Sequence, residues 1–240
     1  HIMPKRVDAQ NYVTEYVDEE IIKDYIRTVR REKGVRLTRM AVIIAAYYMA
    51  ALQHPYVNRF VVHSKIYDRN HFCVSFVMLK KRADGTPDET PVKVFMEPDD
   101  DIFTINQRIN ETIEKNSEPK HENSADKFAA FMLSVPVLPY LVMALVRLLD
   151  RLGLLPRSIV DLSPFHTSMF ITNLASINTT HIYHHVYEFG TTSVFLSVGK
   201  SVPNYLTGEL DKKLIPISVV MDERICTGHD YALFNKTLQR

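Results

Sequence analysis

The apolar run "LIPISVVMD" ends in the charged triplet Asp222-Glu223-Arg224, with Cys226, Thr227, Gly228 and His229 close behind. Side chains alternate across a strand, so Asp222 and Arg224 share one face and Glu223 takes the other. Glu223 is then a carboxylate that its neighbouring arginine does not directly neutralise. A carboxylate with a reference pKa of about 4.3 is ionised at neutral pH and is a weak base towards a thiol near 8.5. General-base work by such a group needs burial to raise that value by roughly 2 units. Two histidines offer themselves as alternative bases: His229, just past Gly228, and His166 in "SPFHTSMF". The cluster His181-x-x-His184-His185 places 181 and 185 on one strand face and 184 on the other, with no Cys or carboxylate at ligand spacing, so no metal site is expected. Cys226, beside Ile225 and near Val220, reads as an inert buried thiol. No P-loop, Gly-x-Gly-x-x-Gly or Gly-x-Ser-x-Gly run occurs, which removes nucleotide binding and serine-hydrolase chemistry from consideration.

The elements that must position these residues are legible from periodicity. "NYVTEYVD" (11–18) alternates as a strand, and "EEIIKDYIRTVRREKG" puts Ile21, Ile22, Tyr25, Ile26 and Val29 on one helical face before Gly34. "TRMAVIIAAYYMAALQHP" is apolar nearly all round, predicting a buried helix stopped at Pro55. Strands are predicted over "RFVVHSKIY", "HFCVSFVMLK" and "PVKVFME", the first two joined by a turn at Asp68-Arg69-Asn70. A helix over 102–116 follows "EPDDD", whose aspartates suit an N-cap. The polar stretch 116–126 is expected to be exposed. Ala129–Val146 is almost uninterruptedly apolar and is followed by Arg147, Asp150 and Arg151. Its length approaches the roughly 20 residues of a membrane span, but Pro136 and Pro139 argue against one. A buried or oligomer-interface helix and a helix lying on a membrane surface both fit the segment. The last third predicts strands at "TSMFITNL", "HIYHHVYEF", "TTSVFLSVGK" and "LIPISVVMD", then a helix from Gly228 to Arg240. With no regular βαβ alternation, the pattern points to a layered α/β (α+β) domain.

The 240 residues suffice for one large domain with a generous core, and 46% hydrophobic with 24% charged is ordinary for a folded protein. A single domain over 1–240 is expected, interrupted by an inserted apolar helix at about 127–152. The 29 basic and 28 acidic residues leave a net charge of +1, giving no reason to expect nucleic acid as partner. Two cysteines and no apolar leader are the pattern of a cytoplasmic protein. The opening His1-Ile2-Met3 and the closing "NKTLQR", inside a predicted helix, suggest truncation at both ends.

Four stretches together resemble the catalytic domain of the dihydrolipoyl acyltransferases of 2-oxoacid dehydrogenase complexes and its relative, chloramphenicol acetyltransferase. "LTRMAVIIAAYYMAALQHPYVNRF" is similar to the family's long helix closing in His-Pro-x-x-Asn, here His54, Pro55 and Asn58. "SMFITNLASI" is similar to its Phe-Thr-Ile-Ser-Asn-Leu-Gly strand, and "TTSVFLSVGK" to the strand that follows. "ISVVMDERICTGHDYALF" is similar to the Asp-His-Arg-x-x-Asp-Gly signature. The likeness covers most of residues 10–240 in the right order. It implies a two-layer sandwich, a mixed sheet with helices on one side, assembled as a homotrimer with sites between subunits. It also implies coenzyme A or acyl-coenzyme A as a substrate and no metal. A histidine would be the base and a serine or threonine hydroxyl of the neighbouring subunit would stabilise the oxyanion.

Carried over residue by residue, the resemblance puts Thr172 at the oxyanion position, Glu223 at the histidine position and Thr227 at the Asp/Asn position. Threonine donates the same hydrogen bond as serine, whereas Glu223 and Thr227 both strike at the chemistry. Two readings stay open: an acyltransferase with a base other than histidine, and a catalytically inactive scaffold or ligand-binding homologue, with membrane contact through 129–151 as a further partner. Nothing in the chain resembles a lipoyl or subunit-binding domain.

Overall fold

The computed structural model describes residues 2–81, 87–117, 127, 134 and 139–239. Apart from Ser134, the part of the apolar stretch before residue 139 lies outside the described residues, as does most of the polar stretch 116–126. In chain order the elements are β1 (Gln10–Asp18), α1 (Glu19–Lys33), α2 (Arg39–Gln53), β2 (Arg59–Val62), β3 (Lys65–Asp68), β4 (Phe72–Lys81), β5 (Pro87–Met96) and α3 (Ile102–Ser117). They continue as α4 (Pro139–Leu152), α5 (Arg157–Leu162), β6 (Met169–Asn173), β7 (Val194–Val198), β8 (Val202–Pro203), β9 (Lys213–Asp222) and α6 (Gly228–Leu238).

Helix ends fall where their chemistry puts them. Asp18 caps α1 by accepting from Glu20 N, and Gly34 ends it with φ of 70°, a left-handed conformation that costs glycine nothing. Thr38 caps α2, and Pro55 opens the 3-10 turn that follows. Asp101 Oδ1 accepts from Phe103 N and Thr104 N at 2.9 Å, so the acidic run before α3 is a cap.

The main sheet is mixed, in the order β1-β9-β7-β6-β4-β5, with β8 added to β9. Pairs β4–β6 and β6–β7 are parallel and the rest antiparallel. One face carries the large core: Ile22 of α1, Ile44 and Tyr48 of α2, Ile105 of α3 and Phe234 of α6 pack on Val74, Ile171, Leu196 and Val219. The alternate residues, Phe170, Phe195 and Val220, form a smaller cluster on the opposite face with Val186 and Tyr187.

Two predicted strands take other forms. "RFVVHSKIY" is not one strand but the hairpin β2–β3, turned by His63 and Ser64 at φ of 50° and 59°. Both residues are left-handed, as a primed two-residue turn requires, although neither is the Gly or Asn that usually signals it. "HIYHHVYEF" forms no ladder: residues 181–187 cross the outer face of the sheet as irregular chain. Its alternation is nonetheless used, since His184 stacks on Phe195 with centroids 4.1 Å apart while Val186 is buried.

The end of β9 is locked by a buried carboxylate. Asp222 binds Arg224 through two bonds of 2.8 and 2.7 Å and Arg6 Nε at 3.3 Å. Arg6 also donates to the carbonyls of Tyr187 and Gly190. Burial, the largest influence on Arg6, pushes its guanidinium down, against the pull of Asp222; on Arg224 burial is again the largest single influence, but the bonds and charge of Asp222 with the charges of Glu188 and Asp8 together push it up. Gly190, at φ of 87°, lies so close that a Cβ there would collide with the Phe165 carbonyl. Removing one partner of a buried pair costs about 3–5 kcal/mol. Asp222→Ala is therefore expected to lower the unfolding free energy by about that amount, read from the midpoint of urea denaturation.

Candidate functional site

Thr172 lies at the end of β6, in register with Ser197 of β7, which pairs with Ser218 of β9 and through it with Thr14 of β1. Register partners point to the same side of a sheet, so four hydroxyls form a row across four strands on the outer face. The crossing segment engages three of them. Ser197 Oγ accepts from Ile182 N at 3.2 Å, Ser218 Oγ donates to Ile182 O, and Thr14 Oγ1 bonds Tyr183 Oη at 2.6 Å. Among the described residues, the Thr172 hydroxyl has no hydrogen-bond partner, and the residue is half-buried. A donor held on a rigid strand and left unengaged is what stabilisation of a developing oxyanion requires.

Glu223 follows the last residue of β9. Its backbone N–H donates to Ala9 O at 2.8 Å, and its half-buried carboxylate is in no ion pair among the described residues. The strand expected through 224 stops at Asp222: residues 223–224 form a turn closed by Ile225 N donating to Asp222 O at 3.2 Å, and Asp222 and Arg224 bind each other across it and leave Glu223 out of the pair. Along β9 the distance from Ser218, level with Thr172, to Glu223 is about 17 Å at 3.3 Å per residue. Within one chain the two candidate groups therefore sit towards opposite ends of the sheet.

The other candidates are held elsewhere. Thr227 is the N-cap of α6: its hydroxyl donates to Asp230 Oδ2 at 2.8 Å, and its own N–H donates to the same oxygen at 2.9 Å. Asp230 N returns a bond to Thr227 Oγ1, completing a capping box. His229, in the first turn of α6, is exposed. His166 is 2% exposed and doubly bonded, Nδ1 to Ser163 Oγ and Nε2 to Asp150 Oδ1, both at 2.8 Å. Asp150 Oδ2 in turn accepts from Gly190 N at 2.7 Å. This chain of hydroxyl, imidazole and carboxylate ties α4 to the sheet and leaves His166 no free nitrogen.

Asp150 and Arg6 are the polar residues that sequence reading missed. Each looks like a surface charge beside other charges, and only the packed chain shows that each satisfies buried backbone groups. The two thiols differ sharply. Burial pushes Cys226 up to about 12, in keeping with an inert thiol. For Cys73, burial is outweighed by a His71 hydrogen bond and the charges of Lys93 and Arg69, which bring it down to about 6. A cavity of about 260 Å³ is lined by Asn70, His71, Phe95, Arg157 and Asp161, none of them a candidate above. Among the described residues no group of three His, Cys, Asp or Glu could hold a metal ion, and no helix is long and apolar enough to cross a membrane.

No protein-family model matches the chain, and no curated protein matches it in sequence. Solved structures do match its fold. A probable dihydrolipoamide acetyltransferase from Listeria monocytogenes aligns over 96% of this chain and 82% of its own, at 16% identity and a TM-score of 0.58. A chloramphenicol acetyltransferase aligns over 96% and 87%, at 12% identity and a TM-score of 0.61. The dihydrolipoamide acetyltransferase of Azotobacter vinelandii, in which a serine, a histidine and an asparagine have been examined for roles in catalysis, aligns over 96% and 79%, at 14% identity and 0.58. The chain thus has the acyltransferase fold of these enzymes, as the resemblance implied.

Two substitutions separate the structural groups from the candidate site. Asp150→Ala strands two buried donors and is expected to cost roughly 2–4 kcal/mol, with faster amide hydrogen exchange across α4. Thr227→Ala is expected to cost only about 1 kcal/mol, the usual worth of an N-cap, in the same denaturation measurement.

Proposed function

We propose that this protein transfers acyl groups from a coenzyme A thioester, as a homotrimer in which Thr172 of one subunit meets Glu223 of the next. The observation that carries this reading is that both groups are unengaged among the described residues while five polar side chains close to them in the fold are spent. Asp222, Arg224, Thr227, Ser197 and Ser218 all have partners among the described residues. Their separation along the sheet fits a site completed by a neighbouring subunit. A neighbour enzyme of this fold, examined for catalytic roles of a serine, a histidine and an asparagine, is the precedent for pairing a hydroxyl with a base; here Thr172 and Glu223 would take those two places.

In this scheme Thr172 Oγ1 donates to the thioester oxygen as the carbonyl becomes tetrahedral. Glu223 takes the proton of the attacking thiol or hydroxyl and returns it to the departing coenzyme A sulfur. The bond formed is acceptor to acyl carbon, and the bond broken is acyl carbon to sulfur. A carboxylate is a weaker base than imidazole towards a thiol, so the reaction depends on the acceptor docking closely over Glu223.

The second reading, a ligand-binding homologue without turnover, is favoured by one observation. The Thr227 hydroxyl, at the position of the signature's Asp or Asn, is committed to the α6 capping box and is not free to orient a base.

Thiol release from acetyl-coenzyme A in the presence of a dithiol acceptor distinguishes the two. Under the first reading Thr172→Val lowers kcat by about 10²–10³-fold, the usual effect of one lost oxyanion donor. Glu223→Gln abolishes turnover at unchanged fold. Mixing the two inactive variants restores part of the activity, because some shared sites then hold both native groups. Turnover indifferent to Glu223→Gln would remove the carboxylate as base, and coenzyme A binding without turnover would leave the second reading.

A further inference from the structure

Helix α4 exposes its most apolar side. Leu141, Leu145, Leu148 and Leu152 are 61, 55, 52 and 41% exposed, and their spacing aligns them as one stripe. At 100° per residue, Asp150 lies roughly 170° from the centre of that stripe. Asp150 is also the anchor that faces the body, through His166 and Gly190. The leucines therefore point away from the protein because the only acidic residue of the helix is fixed underneath. Tyr140, at 89% exposed, lies at the first turn about 110° from the stripe's centre, on the flank that bears the arginines.

The same helix carries Arg147 and Arg151 on one flank of the stripe, between the leucines and the docked side. Both are exposed and neither makes an ion pair among the described residues. Asp150 is unavailable to them, being used twice beneath the helix. An outward leucine stripe edged by unpaired arginines is the pattern of a helix lying in a membrane interface, its apolar side among acyl chains and its cations at anionic headgroups. We propose that α4 docks this protein onto anionic lipid bilayers, as a peripheral contact without a span. The inference rests on packing and charge alone and is independent of the acyl-transfer reading.

Sedimentation of the full chain with vesicles of phosphatidylcholine, alone or mixed with phosphatidylserine, tests it. The wild type is expected to pellet with the anionic vesicles and to be released by high salt. Leu145→Glu with Leu148→Glu, and separately Arg147→Gln with Arg151→Gln, should each reduce partitioning roughly tenfold or more, since each charge near such a surface counts. Both doubles should keep the wild-type urea midpoint and the wild-type mass by light scattering. If the leucine variant fails to fold, the arginine variant decides alone. Wild type that stays in the supernatant overturns the proposal, as does a folded double variant that pellets like wild type. A leucine variant with altered oligomeric mass also overturns it, because a second copy of the chain would then be what covers the stripe.

Discussion

The buried carboxylate of Asp222 organises the half of the molecule that carries the candidate chemistry. Its two oxygens hold Arg224, two residues on, and Arg6, which arrives from the other end of the chain. Arg6 spends its remaining donors on the carbonyls of Tyr187 and Gly190, which are the exit of the segment crossing the outer face. The N-terminus, the last strand and the crossing segment thus converge on one fully buried anion. A buried charge is tolerable only when paired and fully bonded, so none of the three can shift without stranding the others. Tyr231 Oη, donating to Asp222 O at 2.9 Å, adds the last helix to the same knot.

This constraint explains why Glu223 is free. Asp222 lies on the outer face beneath the exit of the crossing segment, and Arg224 folds back on it across the turn that ends β9, so the Glu223 side chain between them stays out of the knot. The crossing segment has a parallel effect at the other end of the sheet. It reaches Ser197 and Ser218 through Ile182, and Thr14 through Tyr183, but the row continues to Thr172 on β6, where that bonding stops. Both unengaged groups are the leftovers of well-satisfied neighbourhoods. Unlike the buried atoms without partners among the described residues, such as Ser193 Oγ and His181 Nδ1, these two groups are half-exposed and open to a ligand.

Most of the fold was legible in the sequence because period and cap chemistry agreed: the alternation of β1, the all-round apolarity of α2, Gly34 and the aspartates before α3. The misreadings share one cause. His63 and Ser64 make a hairpin turn without glycine or asparagine, so local composition hid the break in "RFVVHSKIY". In "HIYHHVYEF" the alternation was real but served packing of His184 and Val186 on Phe195, with no strand alongside to pair with. At the site, the positions of Thr172 and Glu223 came from motif order, whereas their lack of partners among the described residues depends on the packed chain. The reverse holds for His166, whose type suggests chemistry and whose burial between Ser163 and Asp150 shows a tether.

The orientation of α4 follows from the same competition between polar satisfaction and apolar burial. Rotating the helix to bury its leucines would gain about 1.5–3 kcal/mol for each side chain taken fully out of water. It would also pull Asp150 from Gly190 N and His166 Nε2, leaving a carboxylate and two donors unpaired in a dry environment. Each unmet buried group costs about 1–3 kcal/mol, and more when charged. The two sides are of similar size, so polar satisfaction alone does not make the outward leucines a comfortable arrangement. Their exposure is a standing cost of several kcal/mol that the isolated chain carries and that an apolar contact would remove. Arg147 and Arg151, which have no counter-ion among the described residues, add an electrostatic demand on that same contact. A lipid surface with anionic headgroups meets both demands at once.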